Sequence, residues 1–501
     1  MSGRRLYAAI ALASVVVYLG ALWNQFVLDD QIVVLINPLL EDLSGVWRAF
    51  GLPYWPPELR AQMYRPLTIA TLVVDQSIGG VAWFHAVNLL WHAGTAVAVA
   101  ALARRWCGDR AALLAGLLFA VHPVHVEAVA YVTGRADLMA TAFALLAVYA
   151  AVERDSIVWS VAAMVAGLLS KESAAVAPAL IAAVWIFGVR PAPPRRRLAA
   201  FVGSWVGAAI VYAAVRWSVL GDVAHGLFPM FRDASPVAIR LTAVAALADV
   251  ARLLVFPLTL RIDYAPGERT LVTSLLDGRF WLGMLCLALW AVLLVRTFRA
   301  GRRVEATGLA WIAIAFLPVA NLLFPSGILL AERTLYLPSA GLALAVGAWL
   351  KDLAPRRFAA ALAVVVLAGG LRTALRVPAY RTEMRVTLSM LEDSPRSYRG
   401  LARAAGAYYH TGQPEKALGA YRAAIRMYDR EPTLYVSAAL AALKIGRGAT
   451  ADSLLAGAEA QCGACEREYA FYITIARWEG DSALADSLAA RQRRRARPAA
   501  P

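Results

Sequence analysis

The sequence has few of the residues on which zinc sites and disulfide frameworks depend. It contains four cysteines in 501 residues. Cys462 and Cys465 form a C-x-x-C pair, but no second pair of ligands follows it, so a structural zinc site is not indicated. If this segment lies outside the cytoplasm, the two thiols can form a local disulfide. Cys107 and Cys286 lie near or inside apolar helices and are expected to be inert packing residues.

Acidic residues are also scarce. The chain has 34 Asp and Glu residues against 50 Lys and Arg residues, which gives a formal net charge of +16. An excess of this size can indicate a nucleic-acid-binding protein. The arginines, however, stand in short clusters between apolar runs rather than along one face. We therefore expect no nucleic-acid partner.

Long apolar runs dominate the sequence. Hydrophobic residues make up 60% of it, above the roughly 45–50% of soluble domains, and the mean hydropathy is +0.58. Runs of about 20 residues, long enough to cross a bilayer, recur from Tyr7 to Leu375. The sequence predicts an all-α, polytopic membrane protein. The first run lacks a small-residue cleavage site before Asp29 and is expected to remain as an uncleaved helix.

The basic clusters indicate how the chain crosses the membrane, because Lys and Arg concentrate in cytoplasmic loops. Counted from a cytoplasmic N-terminus, they predict about 11 crossings and place the region after Val377 outside the cytoplasm. The predicted spans are residues 6–27, 83–104, 111–131, 137–153, 156–170, 173–189, 198–219, 280–298, 305–323, 334–350 and 358–376. Residues 239–260 are apolar too, but a span there would place the later basic clusters outside the cytoplasm. We therefore expect an interfacial or re-entrant helix.

The same topology places the unusual membrane-level charges on the outer face. Ionisable groups at membrane depth are costly, and by default they mark function. Their convergence on one face is the strongest functional signal derived from the residues alone. The residues concerned are Asp29, Asp30, His122, His125, Glu127, Arg135, Asp137, Lys171, Glu172, Glu332 and Arg333.

The C-terminal region is more polar and has a countable period. Gly412, Gly446 and Gly480 recur every 34 residues, which is the period of tetratricopeptide repeats (TPRs). Such repeats stack into an α-solenoid and present a groove to peptides. An alternative is a helical hairpin domain that only packs on the membrane part. The predicted domains are therefore a membrane part at 1–377, TPR-like extracytoplasmic repeats at 378–490 and a disordered tail at 491–501.

Two neighbouring carboxylates, Asp29 and Asp30, follow the first span at the water boundary. Adjacent like charges repel, which can raise the pKa of one of them toward the range of a general base. We interpret the pair as the catalytic base and slightly favour Asp30, which lies further from the apolar span. The alternative is a solvated helix end that only marks the boundary.

The charges in the outer part of the third predicted span and just after it suit phosphate better than a metal. His122, His125 and Glu127 do not all share one helical face, and Pro123 interrupts the helix, so no metal is predicted. Hydrogen-bond donors and the bidentate fork of Arg135 match a phosphate group instead.

Two further pairs of opposite charges are adjacent in sequence. They are Lys171 with Glu172 and Glu332 with Arg333. Each pair has either a substrate-binding role or a structural one, in which the two charges neutralise each other and permit burial. Arg65 is a further cation on the outer side.

Taken together, seven motifs resemble the TMTC family of transmembrane, tetratricopeptide-containing protein O-mannosyltransferases, which belong to the GT-C class of glycosyltransferases. The resemblance covers nearly the whole chain in the expected order. The motifs are Phe26–Asp30 with Asn37-Pro38, Tyr64–Leu67, Phe84–Asn88 with His92, Phe119–Glu127, Gly134–Asp137, Ser170–Glu172 and Glu332–Ser339.

The resemblance implies a GT-C membrane fold, a dolichyl- or polyprenyl-phosphate sugar donor and a Ser or Thr acceptor. It further implies inversion at the anomeric carbon without a required metal or other cofactor. Asp29 and Asp30 match the acidic pair where the base of this class is expected. About three repeats are visible, fewer than in animal members, which leaves the acceptor and the sugar open, with mannose expected.

The expected reaction is sugar transfer to a protein hydroxyl on the extracytoplasmic face, with an Asp as base and cations holding the phosphate. A transferase acting on an envelope lipid or glycan is the runner-up. A non-enzymatic scaffold that uses the repeats is a rival from another class, but it needs no gathered charges. A polytopic transporter is a third, but the sequence lacks the two related halves typical of transporters.

Overall fold

The computed structural model describes residues 3–56, 63–221, 229–264, 266–462, 465–478 and 480–496. Across these residues the regular structure is helical, and the β-pairing is limited to an isolated bridge between Pro266 and Arg269. The predicted all-α class is confirmed. Helices up to the last apolar run are α1 Gly3–Tyr18, α2 Gly45–Arg48, α3 Pro66–Ile78, α4 Val81–Cys107, α5 Asp109–Val121, α6 Val126–Val129, α7 Arg135–Arg154, α8 Ile157–Ser170, α9 Ala177–Ile186, α10 Arg195–Leu220, α11 Pro236–Val255, α12 Gly278–Arg299, α13 Arg303–Phe316, α14 Tyr336–Leu350, α15 Pro355–Val364 and α16 Gly370–Arg376.

Several of these helices have the length and composition of membrane spans. Within the described residues, 6 helical segments qualify, or 7 if the bent pair Asp109–Val121 and Pro123–Val129 is one span. The 6 are Gly3–Trp23, Val81–Cys107, Val132–Arg154, Arg195–Leu220, Gly278–Arg299 and Pro355–Tyr380. The chain is a multi-pass membrane protein. The predicted count of about 11 remains a prediction, because α8, α13 and α14 have 14, 14 and 15 residues, short for a ~30 Å hydrocarbon core.

The outward surface of the bundle is apolar where it would face lipid. On α10, Ile210 and Trp217 are 63% and 64% exposed. On α12, Trp281 and Leu289 are 58% and 61% exposed. In water such a surface would be unfavourable, so its presence on two of the long helices agrees with lipid contact.

Inside the bundle, small residues allow close helix packing. A Cβ built on Gly308 of α13 would lie 2.4 Å from the carbonyl oxygen of Gly341 on α14, and the reciprocal distance is 2.5 Å. The two backbones therefore touch at this point, as in small-residue contacts between transmembrane helices. Neighbouring pairs α4–α5 and α7–α8 pack in the same core.

The first helix ends earlier than predicted, which frees the segment that carries the acidic pair. Helix continues to Trp23, and Asn24 has extended dihedrals. The Asn24 side chain donates to the carbonyl oxygen of Ala130 at 2.9 Å, so a tertiary contact replaces the last helical turn. A satellite core that includes Val33, Leu72 and Phe84 then packs the loop after the first helix against α3 and α4.

The C-terminal helices are α17 Glu383–Asp393, α18 Tyr398–His410, α19 Pro414–Met427, α20 Pro432–Lys444, α21 Gly448–Cys462, α22 Glu466–Trp478 and α23 Ser482–Ala496. Although the predicted boundary lies at 377/378, α17 packs Val386 and Met390 into the membrane core. A separate core starts at Tyr398 and joins α18 to α23. Judged by which core each helix packs into, the C-terminal unit begins at α18.

The predicted repeat glycines occupy equivalent turns. Gly412, Gly446 and Gly480 each follow the first helix of a pair and have φ values of +72°, +73° and +80°, a left-handed conformation that favours glycine. Their assignment to TPRs stays a prediction. Cys462 and Cys465 are joined by a disulfide.

The predicted disordered tail is partly helical, which corrects that expectation for residues 491–496. Arg491 forms an ion pair with Asp452 at 2.8 Å and contacts Glu459 at 3.4 Å. These carboxylates of α21 give the start of the basic tail a partner. Residues 497–501 of the predicted tail lie outside the described residues.

Candidate active site

The two acidic residues after the first helix have different environments. Asp30 is fully buried, and its carboxylate accepts from the backbone N–H groups of Thr133 at 2.8 Å, Val132 at 3.2 Å and Val27 at 3.4 Å. Burial raises the pKa of Asp30 to about 7, against the effect of these donors, while the charge of Asp29 adds only a smaller rise. Asp30 thus fastens the acidic loop to the turn before α7, and our preference for it as the base has no support in this geometry.

Asp29 is the member of the pair that remains available. Its side chain is half-buried, and within the described part of the chain no hydrogen bond or ion pair to its carboxylate is found. The residue before it, Leu28, has a φ of +56°, which costs an L-residue about 1–2 kcal/mol. Such strain concentrates at functional sites. The carboxylate of Asp29 is therefore open to contact with a bound substrate.

The structural alternative for the two adjacent pairs was that Lys171 neutralises Glu172 and that Arg333 neutralises Glu332. The ion pairs in the structure are instead formed with residues on other elements. The Lys171 Nζ lies 2.7 Å from both carboxylate oxygens of Asp137. Glu172 accepts from Arg65 Nη2 at 2.7 Å and Nε at 3.2 Å.

Arg333 has the same kind of remote partner. Its backbone N–H donates to Glu127 Oε2 at 2.8 Å, and its guanidinium forms an ion pair with the other oxygen of Glu127. Its neighbour Glu332 accepts from the backbone N–H of Arg261 at 2.5 Å and from the Tyr264 hydroxyl at 3.1 Å. Burial raises the pKa of Glu332 to about 8. Crossed pairing therefore brings together stretches of the chain that are far apart in sequence.

These pairs form one electrostatic cluster, which reaches Asp29 through Arg333. Arg333 is within electrostatic range of Asp29 and Asp137 as well as Glu127. Lys171 is within range of both Arg65 and Arg333. The side chain of Arg333 is 29% exposed, and only its Nη1 is engaged by a described residue. The cluster therefore offers unused N–H donors within electrostatic range of the Asp29 carboxylate.

Arg135 does not fit the predicted role in phosphate binding. It is fully buried and forms an ion pair with Asp75. Its Nε donates to Asn88 Oδ1 at 2.8 Å, and its Nη2 donates to the carbonyl oxygen of Phe84 at 2.8 Å. A guanidinium with these partners has no open edge for a second anion. Arg135 instead holds α3, α4 and α7 together.

The two histidines of the predicted donor set also have protein partners. His122 Nε2 lies 2.9 Å from the carbonyl oxygen of Leu254, and its Nδ1 accepts from the backbone N–H of Val124. His125 Nε2 lies 2.7 Å from the Ser339 hydroxyl, and its ring packs on Tyr336. Both are buried at helix junctions, where they serve packing.

Sequence reasoning missed several charged residues of this region. Asp75 interrupts an apolar helix, and that isolated charge was a signal of a buried partner. Glu383 and Arg403, which contact each other next to the acidic loop, carry no local signal. Arg376 is buried with Nε and Nη2 unpaired, although its Nη1 donates to Ser389 at 2.9 Å.

A long apolar groove reaches the edge of the charge cluster. It has a volume of about 490 Å³ and lies between α8, α9 and α10. Leu168, Pro178 and Trp205 are among its apolar lining residues, and Glu172, the partner of Arg65, lies on its wall. The groove thus joins an apolar surface at membrane depth to the paired charges.

Fold and site define a multi-pass helical membrane protein with a charge-lined site next to an apolar groove. The model of the family described as dolichyl-phosphate-mannose-protein mannosyltransferase matches residues 67–218. Human protein O-mannosyl-transferase TMTC4 is 28% identical, with 81% of this chain and 63% of that protein covered. Human TMTC3 is 26% identical, with 75% and 46% covered. The chain is thus a homologue of the TMTC protein O-mannosyl-transferases, which confirms the resemblance predicted from the motifs.

The chain spans only part of the length of these relatives. The chain spans 63% of the length of human TMTC4 and 50% of the Caenorhabditis elegans protein O-mannosyl-transferase F38B6.6, to which it is 28% identical. Among solved structures, ArnT from Cupriavidus metallidurans bound to undecaprenyl phosphate is a distant match. It is 18% identical with a TM-score of 0.42, covering 94% of this chain and 77% of that chain.

Proposed function

We propose that this chain is a GT-C-type glycosyltransferase that moves a sugar, mannose, from a polyprenyl-phosphate donor to Ser or Thr hydroxyls of proteins on the extracytoplasmic face. The observation that carries the proposal is Asp29, a half-buried carboxylate without a hydrogen-bonding partner in the described chain, within range of Arg333. The names of the homologous O-mannosyl-transferases support the choice of sugar and acceptor.

Asp29 is the proposed general base. A hydroxyl is a weak nucleophile, so its proton must leave as the oxygen attacks C1 of the sugar. In this step the bond from the acceptor oxygen to C1 forms, the bond from C1 to the phosphate oxygen breaks, and the proton moves to Asp29. Attack opposite the leaving group inverts the anomeric carbon.

Arg333, Lys171 and Arg65 are the proposed cations for the leaving polyprenyl phosphate. The phosphate gains negative charge as the C1–O bond breaks, and fixed donors stabilise that charge by several kcal/mol in enzymes of known mechanism. These three side chains belong to one electrostatic cluster. Arg135 is left out of this set, because its donors are occupied.

The apolar groove between α8, α9 and α10 is the proposed path of the donor's lipid tail. A polyprenyl chain is an apolar polymer, and burying it favours binding in proportion to the apolar area covered. Because Glu172, the partner of Arg65, lies on the wall of the groove, a lipid placed there would carry its phosphate toward the cations. The C-terminal repeats are the proposed docking surface for the acceptor.

The proposal is tested with purified protein, polyprenyl-phosphate mannose and a Ser/Thr-rich peptide, with mass spectrometry as the readout. We expect a hexose on the peptide, none on the same peptide with Ala at every Ser and Thr, and none with the Asp29→Asn variant. Polyprenyl-phosphate glucose and a lipid acceptor are parallel arms. Transfer only to the lipid acceptor would favour the envelope-glycan alternative, and no transfer in any arm would refute the proposal.

A further inference from the structure

The backbone of the acidic loop is held from the C-terminal side of the chain. The N–H of Gln25 donates to the carbonyl oxygen of Arg381 at 2.9 Å. Three residues on, the N–H of Leu28 donates to Glu383 Oε2 at 3.1 Å. Glu383 opens α17, so a helix more than 350 positions away fixes the residue immediately before Asp29.

Glu383 is in turn held by the first helix of the C-terminal unit. Its other carboxylate oxygen forms an ion pair with Arg403 of α18. The side chains of Glu383 and Arg403 are 37% and 30% exposed, so solvent weakens their attraction. The ion pair therefore serves orientation more than stability, since it leaves Oε2 directed at the Leu28 N–H.

The position of α18 is itself fixed. Asp263 is buried and accepts from the Ser397 hydroxyl at 2.5 Å and from Arg399 at 3.2 Å. Arg399 and Arg403 are four residues apart on α18 and share one helical face. Asp263 thus holds the first turn of α18, and Arg403, one turn further along the same helix, pairs with Glu383.

We propose that Glu383 is a positioning residue: held by Arg403, it fixes the strained Leu28 backbone and so orients Asp29 for catalysis. A non-glycine residue with a φ of +56° persists only where its surroundings hold it. The Leu28 N–H would otherwise be released, and the loop would relax toward an ordinary conformation. The C-terminal unit then completes the active site, in addition to any role in acceptor docking.

This inference rests on the proposed function for its catalytic consequence, but its structural step has a separate readout. Glu383→Ala removes the acceptor for the Leu28 N–H, whereas Glu383→Gln keeps an oxygen there and removes the charge. Hydrogen exchange of the peptide that contains Leu28 should rise by about five- to tenfold in the Ala variant, and by less in the Gln variant. Donor affinity should not change in either.

Transfer assays measure the consequence. A displacement of about 1 Å can lower turnover by 10²-fold, so kcat should fall by about tenfold or more in Glu383→Ala at unchanged donor KM. Arg403→Met should show a smaller fall that Arg403→Lys restores. Arg430→Met is the matched control, because Arg430 also joins the C-terminal unit to the preceding chain, through Asp233 at 2.8 Å, but without contact to Leu28.

The outcomes are separable. If exchange at Leu28 is unchanged in Glu383→Ala, or rises equally in Arg430→Met, the inference is wrong whatever the activity. If exchange rises but kcat is unchanged, the loop is held for stability alone and the positioning role is overturned. If the wild type transfers no sugar, the proposed function fails, while the exchange data still decide whether Glu383 holds the loop.

Discussion

Replacing the two acidic residues one at a time separates catalysis from architecture. Asp29→Asn keeps the size of the side chain and removes the proton acceptor, so transfer should fall by about 10²–10⁴, the range for a lost general base. Donor binding and thermal stability should remain near wild type, because no described residue bonds to this carboxylate.

Asp30→Asn should behave in the opposite way. The Asp30 Oδ2 atom accepts from both Val27 and Val132, and Oδ1 accepts from Thr133. An amide group replaces one of these oxygens with a donor, so at least one buried N–H loses its partner, which costs roughly 1–3 kcal/mol. The melting temperature should drop, while the protein that stays folded should retain most of its turnover number.

The assay is sugar transfer per folded molecule, with thermal melting and donor binding measured on the same preparations. Wild-type transfer by Asp29→Asn would refute the reasoning, because the free carboxylate would then have no chemical role. A severe loss in Asp30→Asn without loss of stability would return the base to Asp30, as the sequence had suggested.

Three further predictions follow from the charges and the topology. Arg333→Ala should lower turnover per folded molecule more than tenfold, with a smaller loss of stability because Glu127 keeps the backbone N–H of residue 333, whereas Arg135→Ala should destabilise the fold by about 3–5 kcal/mol, since the buried carboxylate of Asp75 loses its charged partner; equal effects on turnover and melting in the two variants would contradict this division. Because burial raises the pKa of Glu332 from 4.5 to about 8, its stability contribution is fully present below the ordinary glutamate pKa and is lost progressively as pH rises from there through 8. Glu332→Gln should abolish that loss in melting curves recorded from about pH 4 to pH 9. A reporter fused after Val377 should be active only outside the cytoplasm, and a cytoplasmic signal would exclude the acceptor model.

The helices could be predicted from the sequence because an apolar run is a local property. The start of α7, for example, lies within two residues of the predicted span 137–153. The end of the first helix was not predictable in this way. A contact between Asn24 and Ala130, 106 residues apart, determines it, and the apolar run alone gives no sign of that contact.

The site was predictable as a set of residues but not as a set of pairs. Arg333 and Glu127 are 206 residues apart, and Arg65 and Glu172 are 107 apart. Adjacent charges suggested local neutralisation, but side chains next to each other in a turn diverge, and each meets a carboxylate or cation that packing supplies. The same reason explains why the sequence could not distinguish the buried Asp30 from its free neighbour.

The balance of charge in the cluster bears on how the proposed reaction proceeds at membrane depth. Three cations and four carboxylates give it a formal charge of −1; they are Arg65, Lys171, Arg333, Asp29, Glu127, Asp137 and Glu172. When the donor reacts, its phosphate gains one negative charge, and Asp29 loses one by taking the acceptor's proton. The total charge of the site with its donor is therefore the same before and after transfer. In a partly desolvated site a net change of charge would be costly. This supports Asp29 as the proposed base, because Asp29 lies within electrostatic range of Arg333, the cation proposed to hold the leaving phosphate.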